Sequence, residues 1–290
     1  MLSVIKLARP HQYLKNGFVL LGPLFSHQWS LVMLSQALLA FLAFCCVASA
    51  VYILNDIMDI EADRAHPVKC NRPLPSGAAS LGTAKCLLVG LVASSLVLSL
   101  KVSEWCMLFI ATYFVINILY SWRLKHVVII DVSLISCGFM LRILVGTVGL
   151  GITPSSWLLL CGLMMTLFLG FAKRRAELLM FETTKGANNS FTRRVLDDYS
   201  HEMLEQFIAV TAACTIIAYG LYTVSPQTIA IHGSDNLIYT LPFVVYGIFR
   251  YLFLLHRRDK GNDTAKDLIQ DRHLLLTIAA WVITTLWVLA

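Results

Sequence analysis

Asn55, Asp56, Asp59 and Asp63, followed by Lys69 and Arg72, have the residue types and the spacing to hold a cation and an anion together. On an α-helix turning about 100° per residue, Asp59 falls roughly 40° from Asn55, Asp63 about 80° and Asp56 about 100°. All four share one face, while Glu61 and Arg64 fall on the other side. Carboxylates this close repel one another unless a cation lies among them. Their oxygens are the hard ligands that suit Mg²⁺, which usually completes its shell with water and substrate phosphate. Lys69 and Arg72 lie in the loop that follows, HPVKCNRPLPSG, where proline excludes helix. They can grip phosphates that the metal also holds, or serve as basic residues at lipid headgroups.

Other candidates lie further along. The segment Tyr120 to Lys125, YSWRLK, leads to Asp131, which stands in the apolar run VVIIDVSLI. An unpaired carboxylate there would be costly, so a metal or a lysine is its expected partner. Lys125 and Asp131 are functional candidates; Tyr120 is either a site residue or an interfacial aromatic anchor. Arg142 stands eleven positions beyond Asp131, about 16 Å along a helix axis. An intramembrane arginine of this kind either holds a bound substrate or ties a helix to a carbonyl. Lys173, Arg174 and Arg175 suit a helix C-terminus and a basic cytoplasmic loop, and equally an anionic lipid headgroup.

Helices embedded in lipid must position these groups. The chain has 290 residues, 58% hydrophobic and 14% charged, with a mean hydropathy of +0.72, which is far from a soluble domain. Long Leu/Val/Ile/Phe runs without alternation exclude a barrel and predict an all-α polytopic membrane protein. Nine candidate spans fall at 14–29, 31–54, 80–100, 104–121, 127–149, 155–173, 203–225, 236–256 and 271–290. Lys6, Arg9 and Lys15 precede the first, which is read as a transmembrane helix rather than a signal peptide. No linker divides the chain, so residues 1–290 are expected to form a single domain. The eight cysteines make no C-x-x-C pair and imply neither disulfides nor zinc. Cations concentrate in alternate loops, with Lys101 alone on the opposite side, which predicts a cytoplasmic N-terminus and site and an outside C-terminus.

The N-D-x-x-D-x-x-x-D run of Asn55, Asp56, Asp59 and Asp63 resembles the first aspartate motif of the UbiA-type superfamily of intramembrane prenyltransferases. That resemblance covers nearly the whole chain and implies nine transmembrane helices around a central cavity, with Mg²⁺ held on a substrate diphosphate. Typical members carry a second acidic motif, D-x-x-x-D, after helix six. Here FAKRRAELLMFETTKGANNSFTRRVLDDYS stands instead, with only Asp197 and Asp198 adjacent. In RPHQYLKN at Arg9 to Asn16, YSWRLK before Asp131, and FAKRRAEL at Phe171 to Leu178, the chain is similar to the decaprenyl-phosphate phosphoribosyltransferase branch.

That branch implies transfer of 5-phosphoribosyl from phosphoribosyl pyrophosphate to a polyprenyl phosphate at a bacterial inner membrane, for cell-envelope precursors. The resemblance implies Mg²⁺ on Asp56, Asp59, Asp63 and Asn55, with Lys69 and Arg72 steadying the pyrophosphate. Gln12, Lys15 and Asn16 become candidates for the ribose 5-phosphate; Lys125, Lys173 and Arg174 become candidates for the acceptor phosphate. Asp131 reads as a ligand or an orienter of Lys125 rather than a base. Two alternatives stand beside this: an aromatic or quinone-precursor prenyltransferase of the same fold, and a non-enzymatic lipid or ion carrier. No nucleic-acid partner is expected; a symmetric homo-oligomer is compatible with the chain.

Overall fold

The computed structural model describes residues 2–26, 30–65, 69–183, 196, 198–257 and 270–289. Their α-helices are α1 (Leu2–Ala8), α2 (Leu21–Phe25), α3 (Leu31–Met58), α4 (Ile60–Ala65), α5 (Leu81–Val102), α6 (Glu104–Trp122), α7 (Ile130–Gly146), α8 (Ser156–Thr183), α9 (His201–Val224), α10 (Pro226–His232), α11 (Leu241–Arg257) and α12 (Arg272–Leu289). Among the described residues, eight helical segments are long and apolar enough to cross a membrane, and the chain is an all-helical, multi-pass membrane protein.

Local sequence sets where these helices begin. Ser30, Ser80, Ser103 and Ser200 each accept a hydrogen bond from the backbone N–H three residues on, opening α3, α5, α6 and α9. A serine cap satisfies one of the donors that a helix start leaves open. Asp271 does the same for α12 through the amide of Leu274.

The expected first span differs from the other eight. Within 14–29 the described chain runs as a 3-10 helix, Pro10–Leu20, and then the five-residue α2. Pro10, Gly17, Gly22 and Pro23 keep this stretch from forming one long α-helix.

The chain divides into two compact units. The first takes in residues up to Leu134 and again Leu141–Thr153; the second takes in Ile135–Met140, Pro154–Ala187 and Arg194–Ala290. In the first, the 3-10 segment lies along α3 as a strap. Arg9 reaches Asp56 and covers the ring of Tyr52. Tyr13 bonds Ser49, and Asn16 bonds Cys45. Positions 9, 13 and 16 thus match 56 and 52, 49 and 45 in antiparallel order, one contact per turn. Ser49 also donates to the carbonyl of Ala8.

The strap then crosses α7 at glycines. A Cβ on Gly22 would lie 1.8 Å from the carbonyl oxygen of Gly146, and one on Gly146 would lie 1.8 Å from that of Val19. Only glycine lets these backbones touch. On the opposite end, Leu7, Ile53, Leu74, Ala79 and Ala84 form a buried cluster that seats the loop after α4 against α3 and α5.

The second unit is held by charged ties between its helices. Arg175 pairs with Glu205 and donates to the carbonyl of Leu255 at 3.1 Å. His256 lies 3.0 Å from the other oxygen of Glu205. Arg250 grips Asp271 with two nitrogens, at 3.2 and 2.8 Å. That guanidinium, helped by the Leu274 amide, lowers the Asp271 carboxyl to about 2 despite its burial.

Candidate functional site

The acidic residues stand where α3 ends. Met58 is its last residue, and Asp59 caps it with φ −100° and ψ 12°. The backbone still bonds helically across the joint, Asp59 to Asn55 and Asp63 to Asp59, so α4 continues at a bend. A single straight helix was expected to carry all four side chains on one arc. The bend instead divides them into three addresses.

Asp56 and Asp63 form the first. Nη1 of Arg72 lies 3.2 Å from Oδ1 of Asp56 and 2.6 Å from Oδ2 of Asp63, so both carboxylates face one nitrogen. Arg9 adds a second guanidinium on Asp56, and Lys69 stands 4.0 Å from Asp63. Both aspartates are buried, Asp56 at 2% exposure and Asp63 at 3%. Carboxylates removed from water to this degree require such partners.

Asp59 forms the second. Its side chain is 41% exposed and accepts from Nζ of Lys125 at 2.9 Å. Lys125 comes from the short loop after α6, and this pair ties that loop to the end of α3. Asn55 forms the third, its amide oxygen meeting the hydroxyl of Ser121 in the last turn of α6.

Among the described residues, no group of three or more His, Cys, Asp or Glu side chains converges to hold a metal ion. The four-residue ligand set expected on one helix face is therefore not assembled as such. What the cluster offers is narrower. Two carboxylates share one positively charged point, the place that Arg72 Nη1 takes. Two oxygen ligands with the rest of the shell open fit Mg²⁺, which keeps waters and recruits phosphate oxygens.

Asp131 is fully buried in the first turn of α7. Two residues before it stands Ile129, which has φ 67°. A β-branched residue in the left-handed region is strained, and such strain gathers at functional sites. Lys125 is on Asp59, a different partner from the one expected of Asp131. Among the described residues Arg9 is the other non-glycine position with positive φ, at 50°. Both unusual positions thus flank the charged cluster in sequence or in contact.

Arg142 lies elsewhere in the same unit. It is 4% exposed, and its Nε donates to Asn16 Oδ1 at 2.9 Å while Nη2 donates to the hydroxyl of Tyr113 at 3.2 Å. Its guanidinium also covers the rings of Phe44 and Tyr113, at 4.7 and 5.0 Å. These contacts link Arg142 to the strap, to α3 and to α6 through side chains. Asn16, with 1% exposure, spends its amide on Arg142 and Cys45. From Phe44 to Asp56 is about 18 Å along α3 at 1.5 Å per residue, so this layer is separate from the acidic end. Gln12 and Lys15 are half-buried on the strap, and Tyr120 is half-buried in α6.

Lys173 and Arg174 belong to the second unit, where both face Glu177. Arg174 is wholly buried, and Lys173 is the more exposed of the two. Asp198 is described at a turn; Asp197, His66, Pro67 and the loop residues 184–195 lie outside the described residues.

Arg9 and Ser121 were not singled out from the sequence as site residues. Arg9 stood in the polar approach to the first expected span, with nothing in the sequence linking it to Asp56. Ser121 carried no signal beyond its neighbours.

The model of the UbiA prenyltransferase family matches residues 17–276. A decaprenyl-phosphate phosphoribosyltransferase from Corynebacterium glutamicum is 34% identical over 294 residues, spanning 97% of this chain and 84% of its own. One from Mycolicibacterium smegmatis is 31% identical, spanning 97% and 90%. Among solved structures, a UbiA homolog from Archaeoglobus fulgidus bound to GPP and Mg²⁺ is similar over 99% of both chains, with a TM-score of 0.74 and 17% identity.

Proposed function

The chain belongs to the UbiA prenyltransferase family, and within it we propose a phosphoribosyltransferase: 5-phosphoribosyl passes from phosphoribosyl pyrophosphate to a polyprenyl phosphate. The observation that carries this reading is the mixture at the end of α3, where Arg9, Lys69, Arg72 and Lys125 meet three aspartates. A donor with a pyrophosphate and a separate 5-phosphate needs that many cations. The two relatives at 31–34% identity support the same substrate class.

On this reading Asp56 and Asp63 would hold Mg²⁺, with Asp59 and Asn55 beside them, and the ion when bound neutralises charge on the departing pyrophosphate. Arg72 and Lys69 bind the pyrophosphate oxygens and Arg9 adds a third donor. Gln12 and Lys15 are candidates for the 5-phosphate. Asn16 acts behind them by holding the strap to α3 and Arg142. Lys125 draws the acceptor phosphate towards the anomeric carbon. A phosphate oxygen then forms a bond to that carbon as the bond to pyrophosphate breaks, and pyrophosphate leaves with the electron pair. The acceptor is already ionised near neutral pH, so no general base is needed. Asp131 is a candidate ligand or orienter of Lys125 rather than a base. The N-terminus and the site face the cytoplasm of a bacterial inner membrane, and the C-terminus lies outside.

The test is direct. Purified protein is incubated with Mg²⁺, phosphoribosyl pyrophosphate and a polyprenyl phosphate, and the lipid product is weighed by mass spectrometry. A pentose-phosphate adduct is expected. A prenylated aromatic product from prenyl diphosphate, with no such adduct, would overturn the reading in favour of the aromatic prenyltransferase.

A further inference from the structure

Residues 123–129, between α6 and α7, lie outside the two spans they join, yet this loop and its edges present apolar side chains outward. Trp122 is 68% exposed and Ile129 46%; Val127 and Ile130 are exposed as well. The next two residues, Asp131 and Val132, are wholly buried. A strained turn makes this division. Ile129 has φ 67° and ψ −43°, and the amide of Ile130 donates to the carbonyl of Val128 at 2.8 Å. That is the rarer of the two kinds of γ-turn, with positive φ, and a β-branched residue is least suited to it. Strain of this sort persists where surrounding contacts impose it, and these outward side chains receive only part of such contacts from the chain itself. In water the turn would be strained and would also leave three aliphatic side chains wet. In lipid the second cost disappears. Arg123 completes the pattern. Its side chain is exposed, and no carboxylate among the described residues pairs with it. A tryptophan beside a cation at the end of a span suits a membrane–water boundary, where the indole takes the headgroup level and the cation takes lipid phosphate.

We propose that this loop is seated in the surface of the bilayer, with Trp122, Val127, Ile129 and Ile130 among the upper acyl carbons and Arg123 on the phosphate of an anionic phospholipid. Charge decides the occupant. The same patch meeting itself across a two-fold axis would bring two Arg123 side chains together, whereas a phospholipid supplies acyl chains and the opposite charge at once. Seated in this way, the loop holds the ends of α6 and α7 at the level of the lipid phosphates, whatever reaction the chain carries out.

The test uses the full chain in phosphatidylcholine nanodiscs. Subtracting the emission of a Trp122→Phe chain from that of the natural chain isolates the signal of Trp122, and a matching thermal midpoint shows that the variant keeps its fold. Lipid brominated near the carbonyl end of its acyl chains is expected to remove the greater part of that signal, and acrylamide in the water little of it. The reverse order would overturn the proposal and leave the loop in water. Shielding of Trp122 from both quenchers would overturn it too, in favour of a contact between protein chains. The charge is tested apart from the ring. Adding phosphatidylglycerol to the discs is expected to raise the thermal midpoint of the natural chain. Arg123→Gln should match the natural chain in phosphatidylcholine alone and show a smaller rise with phosphatidylglycerol. An equal rise in both chains would overturn the assignment of Arg123 to a lipid phosphate.

Discussion

Two polar places on α3, three turns apart, solve the burial of charge in opposite ways. At its end, Asp56 and Asp63 are held by cations from the strap and the following loop, and those cations have other partners to choose from. Around Phe44, Arg142 is held by neutral groups and ring faces, by Asn16, Tyr113 and Phe44. An ion pair can be exchanged for a ligand of the same charge. A guanidinium held by an amide, a phenol and ring faces has in these groups no charged partner to exchange. The first arrangement is suited to chemistry and the second to holding the helices that position it.

The comparison can be broken by variants at either end. Asp63→Asn should cost the most turnover, about 10²- to 10³-fold, of the order of losing one preorganised charge-stabilising group, while the thermal midpoint changes little. A variant with full activity would remove Asp63 from the metal–diphosphate site. Arg142→Met should show the reverse. Leaving the Asn16 carbonyl and the Tyr113 hydroxyl buried without their donor costs about 1–3 kcal/mol each, so stability falls while the folded fraction keeps its affinity for pyrophosphate. If that affinity fell tenfold with stability intact, Arg142 would belong to the binding site after all.

Lys125→Gln should have a smaller effect, raising KM for the lipid phosphate by less than about tenfold, because its pair with half-exposed Asp59 is a weak tie. Acid gives the smallest effect. The Asp271 carboxyl is lowered to about 2 from an ordinary 3.8, so its contribution to stability is complete above about pH 4 and is lost as pH falls towards 2. Arg250→Gln should flatten that part of a thermal-midpoint profile and leave the region above pH 5 unchanged in shape.

The long helices were legible because lipid leaves the backbone no other way to satisfy itself, and hydropathy reads that constraint directly. The stretch 14–29 was less so, since its prolines and glycines shorten the helical pieces without making it less apolar. Asp56, Asp63, Lys69 and Arg72 could be grouped because they are neighbours in the chain. The bend at Asp59 could not be foreseen from a wheel that assumes a straight axis. Arg9 and Ser121 come from segments 47 and 66 residues away from their partners, and only packing brings them there. Arg142 was visible as an anomaly, but its role depended on which rings would surround it.

The strap has a consequence for how the protein is made. Residues 9–16 leave the ribosome before α3 does, yet their bonds to Cys45, Ser49, Tyr52 and Asp56 await α3, and that of Asn16 to Arg142 awaits α7. During synthesis this segment has no helix to dock on until then, and Pro10 and its basic residues disfavour a helix that inserts by itself. It docks only when α3 has crossed and presents the matching turns. A more apolar, proline-free version would insert early as an independent helix and leave Asp56 without Arg9, so the weak helical character of residues 10–25 is itself part of the assembly order.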